Sequence, residues 1–170
     1  RILREGPYKD IWIQPAAGDA GGALGAAAIA WHEYIGSPRK VNGADSMHGA
    51  YLGPAFTLQQ SREELDNYGA KYVEFEDEEL FPKLAELLES ENVIGWVQGR
   101  MEFGPRALGA RSILGDPRSA KMQSVMNLKI KYRESFRPFA PSVLGSRVGD
   151  YFEQESPSPY MLIAAPVREK

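Results

Sequence analysis

Short apolar runs alternate along this chain with segments in which apolar residues recur every three or four positions. Runs of the first kind predict strands, because successive side chains of a strand point to opposite faces, and segments of the second kind predict helices. Glycine and proline interrupt one of the runs, at Gly53 and Pro54. The predicted strands are 9–14, 50–57, 71–76, 92–97, 112–114, 139–144 and 160–165.

Helical periodicity predicts helices at 23–34, 61–68 and 78–90. Asp116 and Pro117 are expected to begin a fourth helix that continues to about 129. The first is rich in alanine and carries Leu24 and Trp31 on one face, so we expect that face to pack closely against a neighbour. In the second, Ser61 and Glu64 have the spacing of a capping box, in which each side chain bonds to the other residue's backbone. Residues 132–141 are expected to be irregular.

Strands that alternate with helices predict an α/β fold with an α+β tendency. The mostly apolar strand 92–97 is expected at the centre of the sheet. Residues 37–49 are linker-like, so we place a domain boundary near Asp45. Residues 1–45 are then a strand–helix remnant of an upstream domain, and residues 46–170 are a second domain. Because the first residue is Arg1, we expect an excised piece of a longer protein.

The composition is that of an ordinary folded protein, with 43% hydrophobic and 25% charged residues and a net charge of −3. No apolar run approaches the roughly 20 residues that span a bilayer. The chain has no cysteine, which excludes disulfides and thiolate metal ligands. A cytoplasmic protein is the expectation.

Charge is distributed unevenly along the chain. Residues 98–137, the basic segment, hold nine Lys/Arg and three Asp/Glu, whereas residues 59–91 hold three bases and eleven acids. The arginines of the basic segment are interleaved with glycines and prolines, which hold a backbone in fixed turns. Guanidinium groups match phosphate and carboxylate oxygens with paired donors, so the segment predicts a site for a ligand with several anionic centres. A solvated basic surface and a nucleic-acid interface are the alternatives.

A second candidate is the glycine-rich turn from Gly18 to Gly25, between a predicted strand and a predicted helix. Backbone N–H groups at a helix N-terminus attract phosphate, although the same glycines also fit a tight turn with close helix packing. Asp19 is either a helix cap or a metal ligand. His32 is expected to be structural, and His48 lies in the linker.

Three segments carry a resemblance to a family. They read GDAGGALGAA (18–27), GRMEFGPRALGARSILGDPR (99–118) and FRPFAPSVL (136–144), and together they resemble the carbamoyltransferases of the NodU/CmcH type. The resemblance implies an upstream transfer domain, related to the universal tRNA threonylcarbamoyl-transfer protein with its actin/Hsp70-like fold. It also implies a YrdC-like carboxyl-terminal domain, built as a twisted mixed sheet flanked by helices. Residues 1–45 would be the tail of the transfer domain and residues 46–170 the YrdC-like domain.

The resemblance implies that carbamoyl phosphate and ATP form carbamoyl adenylate, whose carbamoyl group passes to an acceptor hydroxyl with the help of the upstream domain. Asp19 would match a ligand of a divalent metal, Mg or Fe, whose histidine ligands lie upstream, so this chain is not expected to retain the metal. The nucleotide pocket of the first domain would be lined by Gly21, Gly22 and Gly25. A module that binds RNA or nucleotides in a basic groove without catalysis is the alternative function.

The same resemblance implies roles for the basic segment, because preorganised cations offset the repulsion between two phosphate substrates. The residues expected to act in catalysis are Arg106, Arg111 and Lys129. Those expected to bind substrate or ATP are Arg100, Arg118, Asn127, Lys131, Arg133 and Arg137. Arg118 has an alternative role as the partner of Asp116 in a salt bridge.

Overall fold

The computed structural model of the protein describes residues 2–154 and 156–169. Within these ranges the two strands are β1 (Ile94–Val97) and β2 (Arg111–Leu114). The α-helices are α1 (Ile2–Glu5), α2 (Asp19–Ile29), α3 (Leu58–Asn67), α4 (Asp77–Glu89), α5 (Met122–Val125) and α6 (Val148–Tyr151). Single π-helical turns extend α2 through Ala30–Tyr34 and α5 through Met126–Ile130, and 3₁₀ turns occur at His48–Ala50 and Gly145–Arg147.

The strands β1 and β2 form an antiparallel pair in which Ile94 lies opposite Leu114 and Val97 opposite Arg111. Both were predicted, because each is a short run rich in apolar residues, and their predicted positions are confirmed. The central place expected for β1 is wrong for the described residues, where β2 is its only sheet neighbour. The loop of residues 98–110, the arginine loop, joins the two strands as a long hairpin connection.

Five predicted strands are absent from the described residues: 9–14, 50–57, 71–76, 139–144 and 160–165. A strand needs a partner for its backbone groups, and a local apolar run does not supply one. Residues 50–54 come nearest, because they exchange three backbone hydrogen bonds with residues 101–103. Pro54 cannot donate, so no regular ladder develops there. The mixed α/β class is confirmed, and the YrdC-like sheet stays a prediction.

The helices are close to their predicted positions, and their starts differ for identifiable reasons. Helix α2 begins at Asp19, four residues early, because the glycine-rich segment joins the helix. The capping box predicted at Ser61 and Glu64 is wrong, because Thr57 is the N-cap of α3 and forms a capping box with Gln60. The helix predicted to begin at Asp116 begins at Met122.

The delayed start of α5 follows from the Asp116 side chain. Its Oδ1 accepts the backbone N–H of Arg118 at 2.9 Å, which closes a turn in place of a helical hydrogen bond. A second turn follows, in which the N–H of Met122 donates to the carbonyl of Ser119 at 3.2 Å. The extension of α5 is π-helical, because the N–H of Lys131 reaches the Met126 carbonyl five residues back.

A small core forms where the predicted linker meets the arginine loop. Met47, Ala50 and Tyr160 are buried, and Phe103 and Leu108 of the loop pack against them. The Tyr160 hydroxyl donates to the Asp45 carboxylate and accepts the Gly49 N–H at 3.1 Å. The predicted boundary near Asp45 therefore lies beside a packed cluster, and the division into two domains stays a prediction.

The apolar face of α2 is open in the described part of the chain, where Leu24 and Trp31 are 38% and 56% exposed. The expected close packing of this face is therefore not seen there. Among the described residues, no helix is both long and apolar enough to span a bilayer.

Candidate anion-binding site

The first arm of the arginine loop is held by backbone hydrogen bonds to residues 50–54. The N–H of Met101 donates to the Pro54 carbonyl at 2.9 Å, and the Met101 carbonyl accepts from Gly53 at the same distance. The N–H of Phe103 donates to the Ala50 carbonyl at 2.6 Å. These bonds fix the path of the chain as it enters the loop.

The second arm is held by one side chain, that of Glu102. Its Oε1 accepts the backbone N–H groups of Leu108 and Ala110 at 2.7 Å each and of Arg111 at 3.2 Å. The residue is only 7% exposed. Burial raises the pKa of the Glu102 carboxyl, but these N–H groups and its own together outweigh burial, so the pKa is lowered.

The tip of the loop touches the turn that precedes α2. Gly104 has φ 104°, which L side chains rarely adopt, and a Cβ there would lie 2.5 Å from the Cβ of Ala16. Ala16 itself has φ 53°. Glycine at 104 therefore permits a close approach between two segments that are far apart in sequence.

Arg106 follows this contact and is exposed. Among the described residues, no hydrogen bond or ion pair to its guanidinium occurs, in contrast to Arg100, Arg111 and Arg118. It lines a cavity of about 180 Å³ together with Gly18, Phe103, Leu108 and Tyr160. The cavity thus has one cationic side chain whose charge is not balanced by a protein carboxylate.

The same cavity reaches the start of α2. Gly18 is the N-cap of this helix, and no side chain caps it. The first N–H groups of a helix carry partial positive charge, so this end adds to the attraction that Arg106 exerts on an anion. The two candidate segments of the sequence therefore meet at one cavity.

The other glycines of the turn have different surroundings. The N–H of Gly21 donates to the Ala16 carbonyl at 2.7 Å, and a Cβ on Gly21 would lie 2.3 Å from that oxygen, so glycine is needed to close the turn. A Cβ on Gly22 or Gly25 would meet nothing within 4 Å. None of the three lines the cavity; their predicted contact with a nucleotide stays a prediction.

Arg100 and Arg111 are turned towards the backbone. The Arg111 Nη1 donates to the carbonyls of Ala110 at 2.7 Å and Gln98 at 3.2 Å, and Nη2 donates to Gly99 at 3.2 Å. The Arg100 Nη2 donates to the Leu52 carbonyl at 3.3 Å. These two arginines close the base of the arginine loop, and their predicted contacts with substrate stay predictions.

Arg118 forms the ion pair that was its alternative role. Its Nη2 lies 2.7 Å from the Asp116 Oδ2, and its Nη1 lies 3.8 Å from Glu89 on α4. Hydrogen bonds from the Arg118 side chain hold the pKa of Asp116 below its usual value. Arg118 thus joins the turn before α5 to the end of α4.

The remaining predicted residues form a second group around Asn127, which is fully buried. Its Nδ2 donates to the carbonyls of Ser135 at 3.0 Å and Arg137 at 2.8 Å, and its Oδ1 accepts the Arg133 Nε at 2.6 Å. The Arg133 guanidinium also lies 4.8 Å from the centre of the Phe139 ring. Asn127 therefore organises the irregular segment that follows α5.

Three cations of this group face solvent. Arg137 pairs with Glu134 through a 3.1 Å contact between Nε and Oε2. Lys129 and Lys131 are exposed and have no ion pair within the described ranges. They remain candidates for contacts with an anionic substrate.

The resemblance implies that Asp19 is a metal ligand, and this residue is exposed in the first turn of α2. No three residues of the His, Cys, Asp or Glu types come together as possible ligands anywhere in the described part of the chain. The residues present therefore do not fit a complete metal site.

Sequence reasoning missed Glu102 and Tyr160. Glu102 is one of three acids in the basic segment, and its isolation among cations was a signal that could have marked it. Tyr160 lies 52 positions beyond Leu108, another residue that lines the cavity. Its position in the core depends on contacts with Asp45 and Gly49 that no local pattern indicates.

Comparisons with known proteins match both ends of the chain. The family model described as "Carbamoyltransferase C-terminus" matches residues 85–170, and the one described as "Carbamoyltransferase N-terminus" matches residues 1–28. The first match covers half of the chain and includes the arginine loop.

Relatives are similar over nearly the full chain. The uncharacterized protein sll1178 of Synechocystis sp. is 63% identical over 100% of this chain and 28% of its own length. The nodulation protein NolNO of Sinorhizobium fredii is 43% identical over 99% of the chain and 25% of its own length. The uncharacterized protein MJ1058 of Methanocaldococcus jannaschii is 36% identical over 96% of the chain and 27% of its own length. The chain spans about a quarter of the length of these relatives.

Proposed function

Because the chain belongs to the carbamoyltransferase family, we propose that it supplies the activating part of an ATP-dependent O-carbamoyltransferase. In this proposal it binds carbamoyl phosphate and ATP. Water cleaves carbamoyl phosphate to carbamate and inorganic phosphate, and a carbamate oxygen attacks the α-phosphorus of ATP, which releases pyrophosphate and forms carbamoyl adenylate. The carbamoyl group then passes to an acceptor hydroxyl, and AMP is released. A part of the polypeptide outside this chain would complete the transfer.

The observation that carries the proposal is the position of Arg106 at the cavity beside the start of α2. An arginine without an internal partner is free to form two parallel hydrogen bonds to a phosphate. Uncapped N–H groups at a helix start add donors of the kind that binds anions. Both features favour an anion in this cavity.

The size of the cavity indicates which part of a substrate it holds. Sites for whole drug-sized ligands typically enclose about 300–1,000 Å³. At about 180 Å³ this cavity suits a phosphoryl or carbamoyl-phosphate group, and it is too small for an entire nucleotide. We therefore assign carbamoyl phosphate to the cavity and the adenosine part of ATP to a surface outside it.

The chemistry explains why a cation without a partner is useful. In adenylate formation a carbamoyl oxygen approaches the α-phosphorus of ATP although both substrates are anionic. Arg106 would offset this repulsion, and removing one such preorganised donor from other enzymes costs roughly 3–4 kcal/mol of activation free energy. Arg111 and Arg100 would keep the loop closed, and the exposed Lys129 and Lys131 would attract the nucleotide phosphates.

Asp19 would supply one carboxylate ligand to a divalent metal, Mg or Fe, completed by residues outside this chain. Such an ion would activate the acceptor hydroxyl or polarise the transferred group, and no step of the activating reaction proposed for this chain uses it. The alternative of a non-catalytic RNA-binding module gains no support from the family matches.

Calorimetric titration of the chain with carbamoyl phosphate tests the proposal, and Arg106→Ala is the informative variant. We expect binding at least about tenfold weaker, because a hydrogen bond to a charged group contributes roughly 1.5–3 kcal/mol. Arg62→Ala is the matched control, since Arg62 is an exposed arginine on α3 whose partner is Glu74. Equal affinities in the wild type and Arg106→Ala, with both proteins folded, would remove Arg106 from the site.

A further inference from the structure

We infer that Glu102 is a positioning residue that acts on the anion site through the arginine loop. The inference rests on the proposed function of Arg106. Glu102 does not line the cavity, and its role follows from what its carboxylate holds.

Glu102 fixes the returning arm of the loop. Its Oε1 accepts N–H groups from Leu108, a cavity-lining residue, and from Ala110 and Arg111, where the chain enters β2. Arg106 lies between this arm and the arm anchored at residues 50–54. Its backbone direction therefore depends on both anchors.

The charge of Glu102 suits this role. Three backbone N–H groups converge on one oxygen, and a carboxylate accepts several such bonds more strongly than a neutral group does. Because the carboxylate is buried and bonded to N–H groups, it organises a basic loop without forming an ion pair with Arg106. An acid that neutralised Arg106 would weaken the attraction for an anion, and Glu102 avoids this effect.

The test compares Glu102→Gln, Glu102→Ala and the control Glu74→Gln in carbamoyl phosphate binding, with inorganic phosphate as a second probe. We expect Glu102→Gln to weaken binding by roughly three- to tenfold, since its amide oxygen accepts the same N–H groups less strongly. Glu102→Ala should weaken it further, and Glu74→Gln should leave it unchanged. Unfolding curves give the folded fraction to which each affinity is normalised.

A double-mutant cycle with Arg106→Ala separates positioning from a general loss of stability. If Glu102 acts through Arg106, then Glu102→Gln has no further effect on affinity once Arg106 is absent. An equal fold-loss in both backgrounds would overturn the inference, as would wild-type affinity in Glu102→Gln. If Arg106→Ala alone leaves the affinity unchanged, the proposed role of Arg106 is wrong, and the inference that Glu102 acts through Arg106 is overturned with it.

Discussion

Replacement of Asn127 by alanine should destabilise the protein more than any other single change in the basic segment. Asn127 is the only described residue with a large side chain that is fully buried, and it makes three side-chain hydrogen bonds. Its Nδ2 satisfies the carbonyls of Ser135 and Arg137, and its Oδ1 satisfies Arg133. Alanine leaves all three of these groups without that partner.

The magnitude follows from the cost of each group that loses its partner. An unsatisfied buried donor or acceptor costs about 1–3 kcal/mol, so three such groups would cost about 3–9 kcal/mol if all were buried. Ser135 and Arg137 are exposed and Arg133 is half-buried, so water will reach some of these groups. We therefore expect a loss near the lower end of that range, about 2–4 kcal/mol in the free energy of unfolding. That is a large part of the roughly 5–15 kcal/mol by which ordinary domains are stable.

Urea unfolding followed by fluorescence measures this loss, and Gln123→Ala is a matched control. The Gln123 amide also donates to two carbonyls of the same segment, those of Phe136 at 3.3 Å and Arg137 at 3.1 Å, but it is exposed. We expect less than about 1 kcal/mol from Gln123→Ala, because water replaces its bonds. Equal losses in the two variants would refute the argument from burial.

Two further predictions concern Tyr160 and the acidic groups. Tyr160→Phe should lower the free energy of unfolding by about 1–2 kcal/mol, because the Asp45 carboxylate and the Gly49 N–H each lose their hydrogen bond to the Tyr160 hydroxyl. An unchanged midpoint of urea unfolding would contradict this prediction. Burial and the Asp45 hydrogen bond raise the pKa of Tyr160 to about 12, so ultraviolet titration should find a tyrosine that ionises near pH 12 and is absent from the variant. The pKa values of Glu102 and Asp45 are lower in the folded protein than their ordinary values of 4.5 and 3.8. Ionisation of these two carboxyls therefore stabilises the fold fully above those ordinary pKa values, and this stabilisation is lost as the pH falls through the lower pKa values of the folded state. Glu102→Gln should therefore flatten the acid side of the stability profile, and an unchanged profile would be evidence against the role of its carboxylate.

The sequence predicted those parts of the fold that depend on neighbours in the chain. Helix α4 and the strands β1 and β2 were found because their periodicity and length are local properties. The run 71–76 has the same alternation, but no partner strand exists for it among the described residues. Likewise, the capping box predicted at Ser61 and Glu64 forms four residues earlier, at Thr57 and Gln60.

The site shows the same division between local and distant information. Composition identified the basic segment, and glycines identified the turn before α2, but neither indicated that Arg106 and Gly18 share a cavity. Their proximity depends on the close contact of Gly104 with Ala16. These two residues are 88 positions apart, a separation at which sequence spacing carries no information.

The arginines of the basic segment have different roles because the backbone offers them different acceptors. Arg111 lies at the start of β2 beside the carbonyls that end β1, and Arg118 follows an aspartate whose side chain turns back towards it. Both guanidinium groups therefore have internal partners before any ligand arrives. Arg106 lies at the tip of a loop whose only buried carboxylate, Glu102, is occupied by backbone N–H groups. Since an anion gains most from a cation that has no competing acceptor, the acid that shapes the loop and the arginine left free by it are two parts of one site.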